Sequence, residues 1–179
     1  MQEPVAHLSD CQSSILATVY DRRQIGLVRK PRLTRLDEFF EEQPLIFITF
    51  CTDKRRPLLA NPVLHESFQA FCVKSQTHQN LVGRYVIMPD HLHLFVQLYS
   101  PDKLSMWIKS LKNSLSKTLR PLGCPAPHWQ KDFFDHVLRS EESYGSKWDY
   151  VEYNPVRAGL VSEASHWPYQ GEIAELSFR

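Results

Sequence analysis

Residues 80–99 read NLVGRYVIMPDHLHLFVQLY. Two runs dense in β-branched and aromatic side chains, Asn80–Met88 and His91–Tyr99, flank the pair Pro89-Asp90. Proline presets a turn φ and aspartate bonds its own backbone, so the pattern predicts a tight hairpin. Side chains alternate along a strand, which puts His91 and His93 on one face and Leu92 and Leu94 on the other. Upstream, LIFITFCT (Leu45–Thr52) reads as a strand bounded by Pro44 and Asp53, and the basic turn Lys54–Arg56 follows. Asn61–Gln76 has helical apolar spacing, with Asn61 as cap and Pro62 at the first helical position. Downstream, a helix is expected over Asp102–Arg120, with the stripe Leu104, Ile108, Leu111, Leu115 and Leu119 leaving Lys109 and Lys112 on another face. Breakers at Pro121–Pro127 end it. A strand over His128–Arg139 and a helix over Glu141–Asn154 complete the series. The order strand–helix–strand–strand–helix–strand, plus a last helix, predicts an α+β fold: a ferredoxin-like antiparallel sheet with helices packed on it in two layers.

The chain has 179 residues, 42% of them apolar and 12% aromatic, which suits one folded domain and excludes disorder over most of its length. Residues 44–168 are expected to form that domain, after a basic extension (1–43) and before a short tail (169–179). No apolar run approaches the roughly 20 residues that span a bilayer, and the first thirty residues carry no signal-peptide core. Cys11, Cys51, Cys72 and Cys124 lie far apart, without a Cys-x-x-Cys pair. They read as reduced thiols, and the expected location is the cytoplasm, with no membrane partner. The net charge is only +1. Its distribution is uneven: Arg22–Leu36 and Lys103–Lys131 each carry six cations and no acid. Such tracts suit a phosphate-binding surface, although a solvated helix face would look the same.

Two imidazoles side by side on a strand can supply half of a divalent-metal site, and a structural or surface pair is the plainer alternative. In the last helix, Tyr144, Trp148 and Val151 form an apolar stripe, and Tyr150 and Asn154, four apart, share a face at its edge. Tyr150 is either a half-buried aromatic or a nucleophile, and Asn154 before Pro155 either a helix terminus or a ligand. Read together, the residues make chemical sense. A phenol of pKa ~10 needs help to attack a phosphodiester. A metal held by His91, His93 and Asn154 would supply that help by polarising the phosphate.

Four blocks carry a more specific signal: YVIMPDHLHLFVQL (85–98), SLKNSLSK (110–117), HWQKDFFDHVLR (128–139) and YVEYNPVRAGLV (150–161). In these the chain resembles the REP-associated tyrosine transposases, within the wider class of single-tyrosine nucleases carrying a His-hydrophobic-His motif. The resemblance implies that His91 and His93 bind Mg²⁺ or Mn²⁺, with Asn154 completing the metal shell. It further implies that Tyr150 attacks single-stranded DNA at palindromic hairpin sites, through a 5′-phosphotyrosine intermediate. Arg29, Lys30, Arg32, Lys109, Lys112 and Lys117 are the candidate DNA contacts, and a monomer is expected. Two other readings are a non-catalytic single-stranded DNA or RNA-binding module and a metal hydrolase that activates water.

Overall fold

The computed structural model describes residues 43–178. Within them β1 (Leu45–Cys51), β2 (Leu81–Ile87), β3 (His91–Gln97), β4 (Phe134–Leu138) and β5 (Gln170–Glu172) form one antiparallel sheet. The strand order is β4-β1-β3-β2-β5, the expected ferredoxin-like order with one strand added beyond β2. Two helices, α1 (Pro62–Gln76) and α2 (Leu104–Leu119), follow β1 and β3. α1 begins where the cap predicts, since the Asn61 side chain accepts from the Leu64 amide at 2.9 Å. All five apolar positions expected along α2 are buried.

Alternation along β1 and β3 divides the core in two. Ile46, Ile48 and Phe50, with Leu92, Leu94 and Val96, pack under α1 and α2. Leu45, Phe47 and Phe95 turn the other way and pack with Val151 of α3 (Glu141–Glu152) and with Trp167. Three layers thus replace the two expected, because α3 and the C-terminal segment cover the second face. Residues 170–172, expected in a tail, form β5 against β2. A strand of three residues is too short to show any alternation. Gly83 marks where the segment crosses: a Cβ there would lie 2.7 Å from the Leu176 side chain.

Two expectations change around α2. The strand predicted over His128–Arg139 shrinks to Phe134–Leu138, preceded by a single bridge between Thr52 and Trp129. Lys112, which was expected to face DNA, reaches into this segment. It is buried, and its ammonium donates to the carbonyls of Gln130 (3.0 Å) and Asp132 (3.2 Å) while lying 5.3 Å over the Phe50 ring. Backbone carbonyls stabilise a cation that is buried away from water. Trp129 fastens the same segment to α2, donating to the Lys112 carbonyl at 2.9 Å.

Lys112→Ala is therefore expected to destabilise the fold by about 1–3 kcal/mol in urea titrations, with little effect on DNA affinity. Weakened DNA binding at unchanged stability would contradict this structural assignment.

Candidate active site

The paired histidines stand at the start of the central strand. In the β1–β3 register Cys51 faces His91 and Thr49 faces His93. The rings sit 4.7 Å apart at 88°, and His93 stacks on Phe47 at 5.6 Å. Each ring has an oxygen partner at Nδ1: Asp90 Oδ1 at 2.6 Å for His91, and Thr49 Oγ1 at 2.7 Å for His93. Among the described residues neither Nε2 has a hydrogen-bond partner. Arg55 closes the chain, its Nε 2.7 Å from Asp90 Oδ2.

Both rings are held neutral. Burial, reinforced by the positive neighbours Arg55, Arg157 and Lys147, keeps His93 well below the ordinary histidine range. Burial also lowers His91, against the opposing pull of Asp90. For Asp90 burial works upward, but the hydrogen bond from His91 and the charge of Arg55 work downward, and the carboxyl stays below its usual range. The donor set fits a divalent ion. Two uncharged imidazoles have their Nδ1 atoms occupied and, among the described residues, no partner at Nε2, and a carboxylate supports one of them from behind. Among the described residues no three His, Cys, Asp or Glu side chains converge to form a complete cage.

Tyr150 is half-buried on α3 and packs against the apolar cluster that contains Phe47 and Phe95. It therefore shares the sheet face of the histidines. The helix expected to run to Asn154 stops at Glu152. Tyr153 turns the chain (φ −82°, ψ 2°), and a four-residue helix, α4 (Asn154–Arg157), follows with Pro155 in its first turn. Pro155 has no N–H to offer the Val151 carbonyl one turn back, and its ring crowds that carbonyl, so α3 cannot run on through it. Asn154 still ends beside Tyr150, but the link is Arg157, a residue the sequence reading passed over. Its guanidinium lies 3.9 Å over the Tyr150 ring, donates to the Tyr150 carbonyl, and donates to Asn154 Oδ1 at 2.6 Å. Guanidinium only donates, so this contact fixes which amide atom of Asn154 is oxygen. The other, Nδ2, is buried with no partner. The carboxamide oxygen expected to face a metal is engaged by Arg157.

The remaining expected contacts are scattered. Lys109 and Lys117 are exposed on α2, across the sheet from the histidines. Arg29, Lys30 and Arg32 lie outside the described residues. The cations that do gather near the imidazoles are Arg55, Lys147 and Arg157. Of these Arg55 falls in the basic turn Lys54–Arg56, and Arg157 lies three residues after Asn154 in the NPVRAG block.

Comparison with known proteins places these features in context. The family model described as "Transposase IS200 like" matches residues 43–147, which include both histidines and end just before Tyr150. A Haemophilus influenzae protein assigned to the REP-associated tyrosine transposases is 27% identical over 142 residues, covering 73% of this chain and 80% of its own. The REP-associated tyrosine transposase of Escherichia coli K12 is 29% identical over 91 residues, 49% of this chain and 52% of its own. A solved structure of a REP-associated tyrosine transposase bound to a REP hairpin superposes with a TM-score of 0.61 at 21% identity. It covers 78% of this chain and 93% of that one, a likeness of fold.

The buried imidazoles also set an acid limit on stability. Unfolded histidines take up a proton near pH 6.5, whereas folded His93 resists protonation until well below that. Below pH 6.5 the unfolded state binds more protons, so stability falls as pH drops and recovers as it rises. In chelator, the unfolding free energy is expected to fall by up to about 1.4 kcal/mol per pH unit for each such histidine. His93→Asn should remove one proton's share of that slope. A wild-type profile that stays flat from pH 6.5 to 5 would refute the burial argument.

Proposed function

Since the chain belongs to the IS200-like transposase family and is an enzyme of that class, we propose that it nicks and rejoins single-stranded DNA beside hairpins, with Tyr150 as nucleophile. The observation that carries this reading is the pair of neutral imidazoles, each held at Nδ1 and without an Nε2 partner among the described residues, on the sheet face where Tyr150 packs. Binding alone would require none of these groups.

In this reading His91 and His93 hold Mg²⁺ or Mn²⁺. The bound ion would polarise the scissile phosphate and stabilise charge on its oxygens. Tyr150 Oη forms a bond to phosphorus as the bond from phosphorus to the 3′ oxygen breaks, leaving a 5′-phosphotyrosine and a free 3′-hydroxyl. Attack by a 3′-hydroxyl reverses the step, and the conserved ester energy makes ATP unnecessary. Arg157, stacked on the Tyr150 ring, is placed to donate to a phosphate that reaches the phenol. Asn154, whose oxygen accepts from Arg157, would be the third protein group to hold the ion.

A hairpin substrate is proposed by analogy with the solved relative bound to a REP hairpin. Lys109 and Lys117 remain candidate backbone contacts, as do Arg29, Lys30 and Arg32. A monomer is proposed because α3 packs Tyr150 onto its own sheet, so the site needs no second copy. No helix of the described residues is long and apolar enough to cross a membrane.

The test is incubation of labelled hairpin oligonucleotides with Mn²⁺, followed by denaturing electrophoresis. Wild type should give a covalent protein–DNA band. Tyr150→Phe should give none while binding the hairpin within a few-fold of wild type, and His91→Ala or chelator should suppress the band at least ~100-fold. Full cleavage by Tyr150→Phe would favour a metal hydrolase, and a wild type without adduct or metal dependence would favour a binding module.

A further inference from the structure

The turn that follows β1 holds a conformation its residues disfavour. Lys54 (φ 52°) and Arg55 (φ 56°) both lie in the left-handed region. Side-chain-bearing residues stay there only where the surroundings over-determine them, and such places cluster at functional sites. The surroundings here are specific. Thr52 is fully buried, and its hydroxyl lies 2.7 Å from the Arg56 carbonyl and 3.1 Å from that of Asp90. Its amide donates to the same Asp90 carbonyl at 2.9 Å. The turn is thereby tied to the residue that precedes His91.

What this geometry achieves is an aimed arginine. Arg55 Nε meets Asp90 Oδ2 at 2.7 Å, and Asp90 Oδ1 meets His91 Nδ1 at 2.6 Å. Arg55 is 41% exposed and Asp90 24%. Ion pairs at this exposure contribute little stability, so fold stability alone does not account for two left-handed residues in succession. The chemistry of the next link does. A carboxylate can only accept, so Nδ1 carries the proton and the lone pair of neutral His91 sits on Nε2. His93 lacks this control, because its partner, the Thr49 hydroxyl, can donate or accept.

We propose that Arg55 and Asp90 are positioning residues that fix the tautomer and orientation of His91, so that its Nε2 is presented to a divalent cation. Arg55 holds the carboxylate in place and offsets its charge, and Asp90 holds the ring. The inference rests on the metal role given to His91 above.

The test uses the full chain without DNA, with Mn²⁺ alone as the probe. Long-range ¹H–¹⁵N spectra of metal-free protein should show His91 as the Nδ1–H tautomer. In Asp90→Ala the ring should become a tautomer mixture, and the Mn²⁺ dissociation constant, read from the paramagnetic resonance of free Mn²⁺, should rise about 10–100-fold. Arg55→Ala should also loosen the tautomer, but add nothing to it in the Asp90→Ala background, because its effect runs through Asp90. Should Asp90→Ala fail to fold, Asp90→Asn, which still accepts the Nδ1 proton without charge, should keep the tautomer and weaken Mn²⁺ several-fold. A His91 tautomer and Mn²⁺ affinity that ignore Asp90 would overturn the proposal. A wild type with the tautomer fixed but no Mn²⁺ binding would sink the metal reading beneath it, so the two failures are distinguishable.

Discussion

The pairing of β3 between β1 and β2 governs the rest of the molecule. Both faces of β3 are covered, one by α1 and α2 and the other by α3 with the C-terminal segment. Register is then set by burial, because a slip of one residue would move Leu92 and Leu94 out of one core and His93 into it. An imidazole in this position is costly unless bonded. Thr49 meets the need at His93, and Asp90, at the turn, meets it at His91. The same desolvation that demands partners also keeps the rings uncharged, and an uncharged ring is the form that binds metal.

The electrostatics around the pair have a direction. Arg55, Lys147 and Arg157 all bear on His93. These charges oppose a lone cation but favour a cation that arrives with phosphate, whose negative charge satisfies both. Asp90 supplies the one carboxylate that faces the pair from the turn. Arg157 joins this field to the nucleophile candidate, since it touches Tyr150 and Asn154 together. The break between α3 and α4 makes that possible. In an unbroken helix Arg157 would lie seven residues past Tyr150, two turns away along the axis. The turn at Tyr153 brings its guanidinium back over the ring.

Much of the architecture was legible because it rests on local, periodic signals. Pro89-Asp90 between two β-rich runs, the Asn61-Pro62 start and the leucine stripe of α2 each state a backbone preference within a few residues. The four motif blocks likewise pointed to the family through residues near one another in the chain. What failed lacked such signals. β5 is too short to alternate, and the segment expected to begin the fourth strand binds an ammonium from another element. Lys112 is instructive: helical spacing set it apart from the apolar stripe, yet a segment some twenty residues on folds back and buries it.

The sequence alone determined which chemical groups are available and how close neighbours along the chain must point: His91 and His93 on one face of a strand, Tyr150 near the end of a helix. Backbone geometry within one element settles such relations, so no knowledge of the fold is needed. The tertiary structure decided which distant groups act on them. Asp90 and Thr49 hold the rings, Arg55 reaches back from a strained turn, and Arg157 takes the asparagine oxygen. These contacts depend on packing between elements, and neither spacing nor composition records where a long side chain finds its partner.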